Sequence, residues 1–440
     1  MKISIIGTGY VGLVTGTCFA DLGNNVICLD TNESIIEGLS KAKIPFYEPG
    51  LEDLIKTNLD RGNIRFTSSY EDAISFAETI FICVGTPEDD KGSADLSFIQ
   101  DVVIKISDNI KDKDRHLTVF IKSTVPSGTC SSVQDKFDEL LQHSQSKVVV
   151  ASNPEFLKEG SAVADFMKPD RIIVGTDDSN VSKLAERLYR PVNWKSNRLK
   201  VVSVEAAEII KYSANAFLAT KISFINEIAK LCDAVGADIA EVRTGVGLDP
   251  RIGNHFLYSG LGFGGSCFPK DVRALINTFT ENSIDTEILK AVIEVNDNQL
   301  DYFISKIYSI YTPKELKKKT LCVWGLSFKP ETDDIRESLG LKFINSISRQ
   351  VKHINAYDPV AMTKAKESLS NIDNITFSKD STEALEGADA LVITTEWREF
   401  WNPDLEYLKV LKDQIIFDGR NILDKKLLEE NEFSYFGIGR

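Results

Sequence analysis

Six residues near the N-terminus constrain the fold more than any others. An apolar run, Lys2–Ile6, leads into Gly7-Thr8-Gly9-Tyr10-Val11-Gly12, and a helical pattern continues to about Gly23. Strand, glycine turn and helix in that order open a parallel α/β sheet. The glycines permit a tight turn, close approach of a pyrophosphate to the backbone, and tight packing of helix on strand. The free N–H groups and partial positive charge at the helix start suit that anion. Eighteen residues after Gly12, Asp30 closes the second strand pattern. A carboxylate there accepts hydrogen bonds from a ribose and repels a 2′-phosphate, which predicts NAD rather than NADP.

The same alternation of short apolar runs and helical stretches continues through Thr79–Val84, Leu117–Ser123, Lys147–Ser152 and Arg171–Gly175. Two of these run into polar turns, Cys83-Val84-Gly85-Thr86-Pro87 and Lys122-Ser123-Thr124-Val125-Pro126. Ligands bind at the carboxyl ends of parallel strands, so Thr86 and Thr124 are placed to meet cofactor or a reacting water. From Val204 to Val235 there is neither proline nor glycine, and apolar residues recur at helical spacing. The pattern predicts a helix of roughly 45–50 Å, a length that suits a domain link and a subunit interface. A second α/β set opens at Thr320–Gly325 and continues at His353–Tyr357, Ala390–Thr394 and Gln414–Asp418. Its first turn, Gly325-Leu326-Ser327-Phe328-Lys329, lacks the three glycines, so a second dinucleotide site is not expected there. With 440 residues the chain exceeds one core. Three parts are expected: residues 1–203, 204–312 and 313–440.

One cysteine stands apart from the other six. Gly260-Leu261-Gly262-Phe263-Gly264-Gly265-Ser266-Cys267-Phe268-Pro269-Lys270-Asp271 places Cys267 behind four glycines in six residues. Cys18, Cys28, Cys83, Cys130, Cys232 and Cys322 mostly lie in apolar patterns, where a thiol acts as a small hydrophobe. After Cys267, Lys270 favours a thiolate and Asp271 can organise water or take a proton. A nucleotide cofactor beside an exposed cysteine implies more than alcohol oxidation. A hydride leaves an alcohol carbon directly, but an aldehyde has no alkoxide-bearing tetrahedral carbon until a nucleophile adds. Thiolate addition makes one, its oxidation gives a thioester, and water releases an acid. On the long helix Lys211 and Asn215 lie four apart on one face, suited to an oxyanion. Asn153-Pro154-Glu155-Phe156-Leu157-Lys158-Glu159-Gly160 follows a strand and supplies two acids, Glu155 and Glu159, one of them a candidate base.

Taken together, Gly7–Gly12, Lys122–Pro126, Asn153–Gly160, Glu208–Asn215, Arg251–Asp271, Phe328–Ser338 and Asp418–Arg420 resemble the nucleotide-sugar 6-dehydrogenases, the UDP-glucose/GDP-mannose dehydrogenase family. The resemblance covers essentially the whole chain and is strongest to the branch acting on UDP-glucose. It implies two Rossmann-like doubly wound domains joined by a long central dimerisation helix, and oxidation of C6 of UDP-glucose with two NAD⁺ and one water. It makes Cys267 the nucleophile, with Lys211, Asn215 and Asp271 as oxyanion and water partners. Glu155 and Thr124 assist hydrolysis; Glu159, Lys270 and Arg336 lie towards the cofactor. Glu155-Phe156-Leu157 and Phe256-Leu257-Tyr258-Ser259-Gly260, with Gly264, would line the sugar nucleotide, and Lys329 and Arg420 would reach it from the last domain. Arg251 would be donated across a dimer interface. Many members have a basic residue five positions after the ribose-binding acid, where this chain has Ile35, so that electrostatic contact to NAD is not expected here.

GDP-mannose or a UDP-N-acetylhexosamine are the neighbouring substrates. Members acting on N-acetyl sugars more often place histidine before the cysteine, where this chain has Ser266. A two-electron hydroxyacid dehydrogenase would have no use for Cys267, and a non-catalytic NAD-binding scaffold none for Lys211 and Asp271. The formal charge of −14 argues against nucleic acid and anionic membranes as partners. No apolar run approaches a membrane span, no signal layout precedes the first strand, and no CxxC pair occurs. A reducing cytoplasm is therefore expected. The four histidines form no triad and no metal spacing, so no metal is expected.

Overall fold

The computed structural model describes residues 1–89, 92–195 and 197–440. They form two compact units, residues 1–214 with 273–283, and residues 215–272 with 284–440. In the first unit the strands are β1 (Lys2–Ile6), β2 (Asn25–Leu29), β3 (Ile64–Thr67), β4 (Thr79–Ile82), β5 (His116–Ile121), β6 (Lys147–Ser152), β7 (Ile172–Gly175) and β8 (Leu199–Val202). Their order across the sheet is 3-2-1-4-5-6-7-8. Pairing is parallel except between β6 and β7, which run antiparallel and meet at Ser152 opposite Gly175. Strands buried on both faces read as continuous apolar runs, which is why β1, β4 and β5 are legible in the sequence. Alternate residues feed two cores: Ile3, Ile5, Phe81 and Phe120 on one face, Ile6, Ile80, Ile82 and Val119 on the other. Phe81 and Phe120 stack at 4.9 Å. Each such buried side chain contributes about 1.5–3 kcal/mol over its exposed state.

The order in which strands are added to the sheet reverses between the parallel neighbours β1 and β4, and the carboxyl ends of those strands open the crevice where α/β sheets bind ligands. The first turn is tight. A Cβ on Gly12 would lie 1.9 Å from the Gly7 carbonyl oxygen, and Gly7 itself has φ +96°.

The second unit repeats this plan. Its strands are β9 (Thr320–Trp324), β10 (His353–Tyr357), β11 (Ile375–Phe377), β12 (Ala390–Ile393), β13 (Ile415–Asp418) and β14 (Ser434–Phe436), in the order 11-10-9-12-13-14, all parallel. Gly325 takes the place of Gly7 at φ +102°, and a Cβ on Gly340 would meet its carbonyl at 2.5 Å. Here, however, residues 326–338 intervene before the helix Leu339–Ile347. Asp358, after β10, is fully buried and accepts from the Leu326 and Ser327 N–H groups at 2.7 and 2.9 Å. It also accepts from Val360, Ala361 and the Trp397 indole. The acid that would face a ribose is thus spent on the protein's own turn.

The helix Val204–Val235 has the 32 residues expected of it. Near its start Glu208 is buried and accepts from the backbone N–H groups of Gly128 and Cys130 at 2.7 and 2.8 Å, which ties it to the start of the helix Thr129–Leu140. Further along, Phe217, Phe224, Leu231 and Val235 are 66%, 51%, 57% and 67% exposed, at intervals of seven, seven and four residues.

Candidate functional site

The cofactor cradle is built from backbone. Gly9 caps the helix Tyr10–Asp21 without any side-chain hydrogen bond, and no acidic residue occupies the first turn. The first N–H groups therefore have no capping carboxylate, and nothing stands within 4 Å of where a Cβ on Gly9 would be. Asp30 Oδ2 accepts from the Thr8 N–H and hydroxyl, both at 2.9 Å, and Oδ1 from the Asn32 N–H at 3.0 Å. Three of about four lone-pair sites are used, and acceptor capacity remains for a ribose hydroxyl. An open glycine, uncapped amides and an anchored acid fit a dinucleotide. Ile35 is half-buried and packs against the core behind this turn. Thr86 donates its hydroxyl to the Thr124 carbonyl at 2.9 Å, so those two strand ends meet.

Beside the cradle, within the first unit, lies a buried charge cluster. Lys211 Nζ is 3.0 Å from Glu155 Oε1, and both residues are buried. The loop after β6 turns sharply there: Glu155 Oε2 accepts from the Leu157 N–H at 2.5 Å. The Phe156 ring lies under the guanidinium of Arg171 at 4.0 Å and under Lys211 at 5.4 Å. Glu159, further along the loop, is half-buried.

In the second unit, Cys267 is the exposed cysteine of seven free ones; the other six are buried. It immediately precedes the helix Phe268–Glu281, and its carbonyl accepts the Asp271 N–H at 2.8 Å. A thiolate at a helix N-terminus is favoured by the partial positive charge there. Asp271 is buried, with Oδ2 accepting from Asn215 at 2.6 Å and Oδ1 paired with Lys270 at 2.7 Å. Lys211 and Asn215, expected to act together, are thus each held by a carboxylate, in two separate pairs.

Glycines in the cysteine loop are required by what surrounds them. A Cβ on Gly264 would meet the Glu337 carbonyl at 2.1 Å, and one on Gly265 the Phe328 ring at 2.5 Å. The Gly265 N–H donates to the Arg336 carbonyl at 3.1 Å. Arg336 therefore holds this loop through its backbone, while its exposed guanidinium forks onto Asp334. Gly260 donates to Asn226 Oδ1, and its carbonyl accepts from Gln299, both at 2.8 Å. Arg420 donates to the carbonyls of Thr394 and Gly262 at 2.8 and 3.3 Å. Phe256 has φ +63°, a left-handed conformation that costs an aromatic residue about 1–3 kcal/mol and recurs at binding sites. Leu257 and Ser259 are buried, Ser259 donating to the Ile438 carbonyl. Tyr258 is exposed under the Arg243 guanidinium at 3.9 Å, and Lys329 lies over Phe328 at 5.4 Å. Arg251 stands apart, exposed and forked on Asp249.

Sequence reasoning passed over three buried residues. Glu48 and Asn153 hold the Glu155 loop, Asn153 accepting from the Tyr189 hydroxyl at 2.5 Å. Lys122, at the end of β5, reaches Asn153 Oδ1 at 3.3 Å. The one signal for it was a lysine closing an apolar strand. Burial pushes the Lys122 ammonium down to about 8, Lys211 acting the same way against Glu155 and Cys83. The unfolded chain therefore binds more protons above that pH, so this group adds stability as pH rises from about 8 towards the ordinary lysine value. The unfolding free energy of the parent minus that of Lys122→Met rises across that window in denaturant titrations. A difference independent of pH contradicts this.

Three family models match in series: the NAD binding domain of the UDP-glucose/GDP-mannose dehydrogenase family over residues 1–193, its central domain over 205–298, and its UDP binding domain over 322–425. The UDP-glucose 6-dehydrogenase of Pseudomonas aeruginosa is 41% identical over 448 positions, which cover all of this chain and 98% of its own. That of Bacillus subtilis is 41% identical over 440, covering all of this chain and 93% of its own. A UDP-glucose dehydrogenase structure from Pyrobaculum islandicum superposes with TM-score 0.90 at 36% identity, over 99% of this chain and 97% of that one. A UDP-D-ManNAc dehydrogenase from Pyrococcus horikoshii gives 0.86 at 27%, over 100% and 99%. No helix among the described residues is long and apolar enough to cross a membrane. The chain belongs to the UDP-glucose/GDP-mannose dehydrogenase family of NAD-dependent nucleotide-sugar dehydrogenases.

Proposed function

We propose that the chain oxidises C6 of UDP-glucose to UDP-glucuronate with two NAD⁺ and one water, through a covalent intermediate on Cys267. The observation that carries this is the exposed thiol at a helix start, on a glycine loop, in a chain whose other cysteines are buried. Relatives named for UDP-glucose at about 40% identity over the full chain support the substrate. Bound at Gly7–Gly12 and Asp30, with Thr86, Thr124, Glu159, Lys270 and Arg336 towards it, NAD supplies the hydride acceptor for each of two oxidations.

The remaining work falls to side chains. Cys267 adds as thiolate to the C6 aldehyde, forming the C–S bond of a thiohemiacetal whose oxygen carries the negative charge. Lys211 and Asn215 donate to that oxyanion. Loss of hydride from C6 leaves a thioester. Water then attacks the carbonyl, the C–S bond breaks, and Glu155 takes the water proton while Thr124 and Asp271 orient the water. Asp271 is suited to orienting because Asn215 and Lys270 fix both its oxygens. Phe156, Leu157 and Phe256–Gly260, with Gly264, form the sugar-nucleotide wall, and Lys329 and Arg420 serve the UDP moiety.

The molecule acts as a homodimer or larger homo-oligomer through the exposed stripe Phe217, Phe224, Leu231 and Val235, which monomers do not usually leave in water, and Arg251 is then offered to the partner. Six buried thiols fit a reducing compartment, the cytoplasm.

NADH formed per UDP-glucose at exhaustion, in excess NAD⁺, tests the reaction. Two equivalents are expected. One equivalent would mean the reaction stops at the aldehyde and the covalent route is wrong. None would move the substrate to GDP-mannose or a UDP-N-acetylhexosamine. Sedimentation equilibrium checks assembly: a dimer or larger species is expected at micromolar concentration, and a monomer would overturn it.

A further inference from the structure

Glu48 has no place in the chemistry above, yet it is buried on an otherwise irregular stretch, Phe46-Tyr47-Glu48-Pro49-Gly50. A buried carboxylate is costly unless each lone pair is matched, and here they are. Oε1 accepts from the Ala162 N–H at 2.8 Å and the Val163 N–H at 3.5 Å. Oε2 accepts from the Gly160 N–H at 2.7 Å and from the Tyr10 hydroxyl. The Gly160 N–H also reaches the Tyr10 oxygen, at 3.0 Å. Burial, then Glu48, raises the Tyr10 phenol well above its ordinary range, so it stays a donor.

Two functional segments meet at this carboxylate. Gly160 ends the loop that carries Glu155 and Glu159. Tyr10 is the fourth residue of the fingerprint and the first of its helix, so its backbone belongs to the pyrophosphate cradle while its hydroxyl belongs to Glu48. Its ring is held against Phe46 at 5.0 Å, and its hydroxyl also lies 3.3 Å from the Lys158 carbonyl, on the same loop as Gly160.

We infer that Glu48 and Tyr10 form a latch that fixes the Glu155 loop to the cofactor cradle and so positions Glu155 for hydrolysis of the Cys267 thioester. Both are positioning residues, and the inference rests on the hydrolytic role proposed for Glu155. A merely structural glue would lower thermal stability and leave the balance of steps untouched. A latch acting on hydrolysis instead makes the thioester accumulate.

The test is intact-mass spectrometry of the full-length enzyme, acid-quenched during turnover of UDP-glucose with NAD⁺, in Tyr10→Phe, Glu48→Gln, the double variant and Glu155→Gln. Tyr10→Phe removes one oxygen and leaves the loop amides on Glu48, so it folds even where Glu48→Gln does not. Expected is a uronyl adduct on Cys267 in every variant. The same variants lose at least fivefold in kcat, with KM for UDP-glucose unchanged within twofold. The double variant is no slower than Glu48→Gln alone, because the two changes break one link. An adduct in Glu155→Gln alone overturns the latch. An adduct in none of them overturns the role given to Glu155, and the latch with it.

Discussion

One unbroken helix holds Lys211 and Asn215 a turn apart, about 6 Å along its axis, and both side chains are buried. A buried ammonium without a partner costs several kcal/mol, and a buried amide somewhat less. Two other stretches of chain must therefore deliver carboxylates to fixed points. The loop after β6 brings Glu155 to Lys211, and the start of the helix Phe268–Glu281 brings Asp271 to Asn215. Much of the remaining architecture serves those deliveries. Asn153, Lys122 and Glu48 hold the first loop, while Asn226, Gln299 and the Phe328–Ser338 segment hold the glycine loop that leads to the second. Removing one member of a buried pair costs about 3–5 kcal/mol, so these residues carry stability as well as the chemistry proposed for them. Amide-for-acid changes separate the two roles better than alanine does.

In the glycine loop one thiol is exposed while Leu261 and Phe263, on the way to it, are buried. Gly264 and Gly265 are pressed against the Glu337 carbonyl and the Phe328 ring, and Gly262 sits at φ +108° against Asn296. Behind this closely packed backbone, Cys267 is exposed at the helix start. Position favours the thiolate form: the side chain stands at the positive end of a helix, on a loop held by its packing.

How much of this was legible follows physical lines. The fingerprint, the long helix and the cysteine loop are local patterns, and the chain forms them where their residues lie. Strands buried on both faces announced themselves as apolar runs. β3, β8, β11 and β14, with sequences IRFT, LKVV, ITF and SYF, are too short and too mixed for that signal. Glu48, Lys122 and Asn153 were missed for a different reason. Their partners lie 20 to 115 residues away in sequence, and nothing local distinguishes a glutamate before Pro49 from a solvated one. The candidates Lys211 and Asn215 were found, but the carboxylate that each one holds became visible only in three dimensions.

The most direct test of the central claim is Cys267→Ala, a change at an exposed side chain that leaves both cores intact. UDP-glucose and NAD⁺ should bind the variant with affinities close to the parent's by calorimetry, and no UDP-glucuronate should form. Acid production at the parent's rate would contradict the account, since water alone would then suffice where a thiolate is claimed.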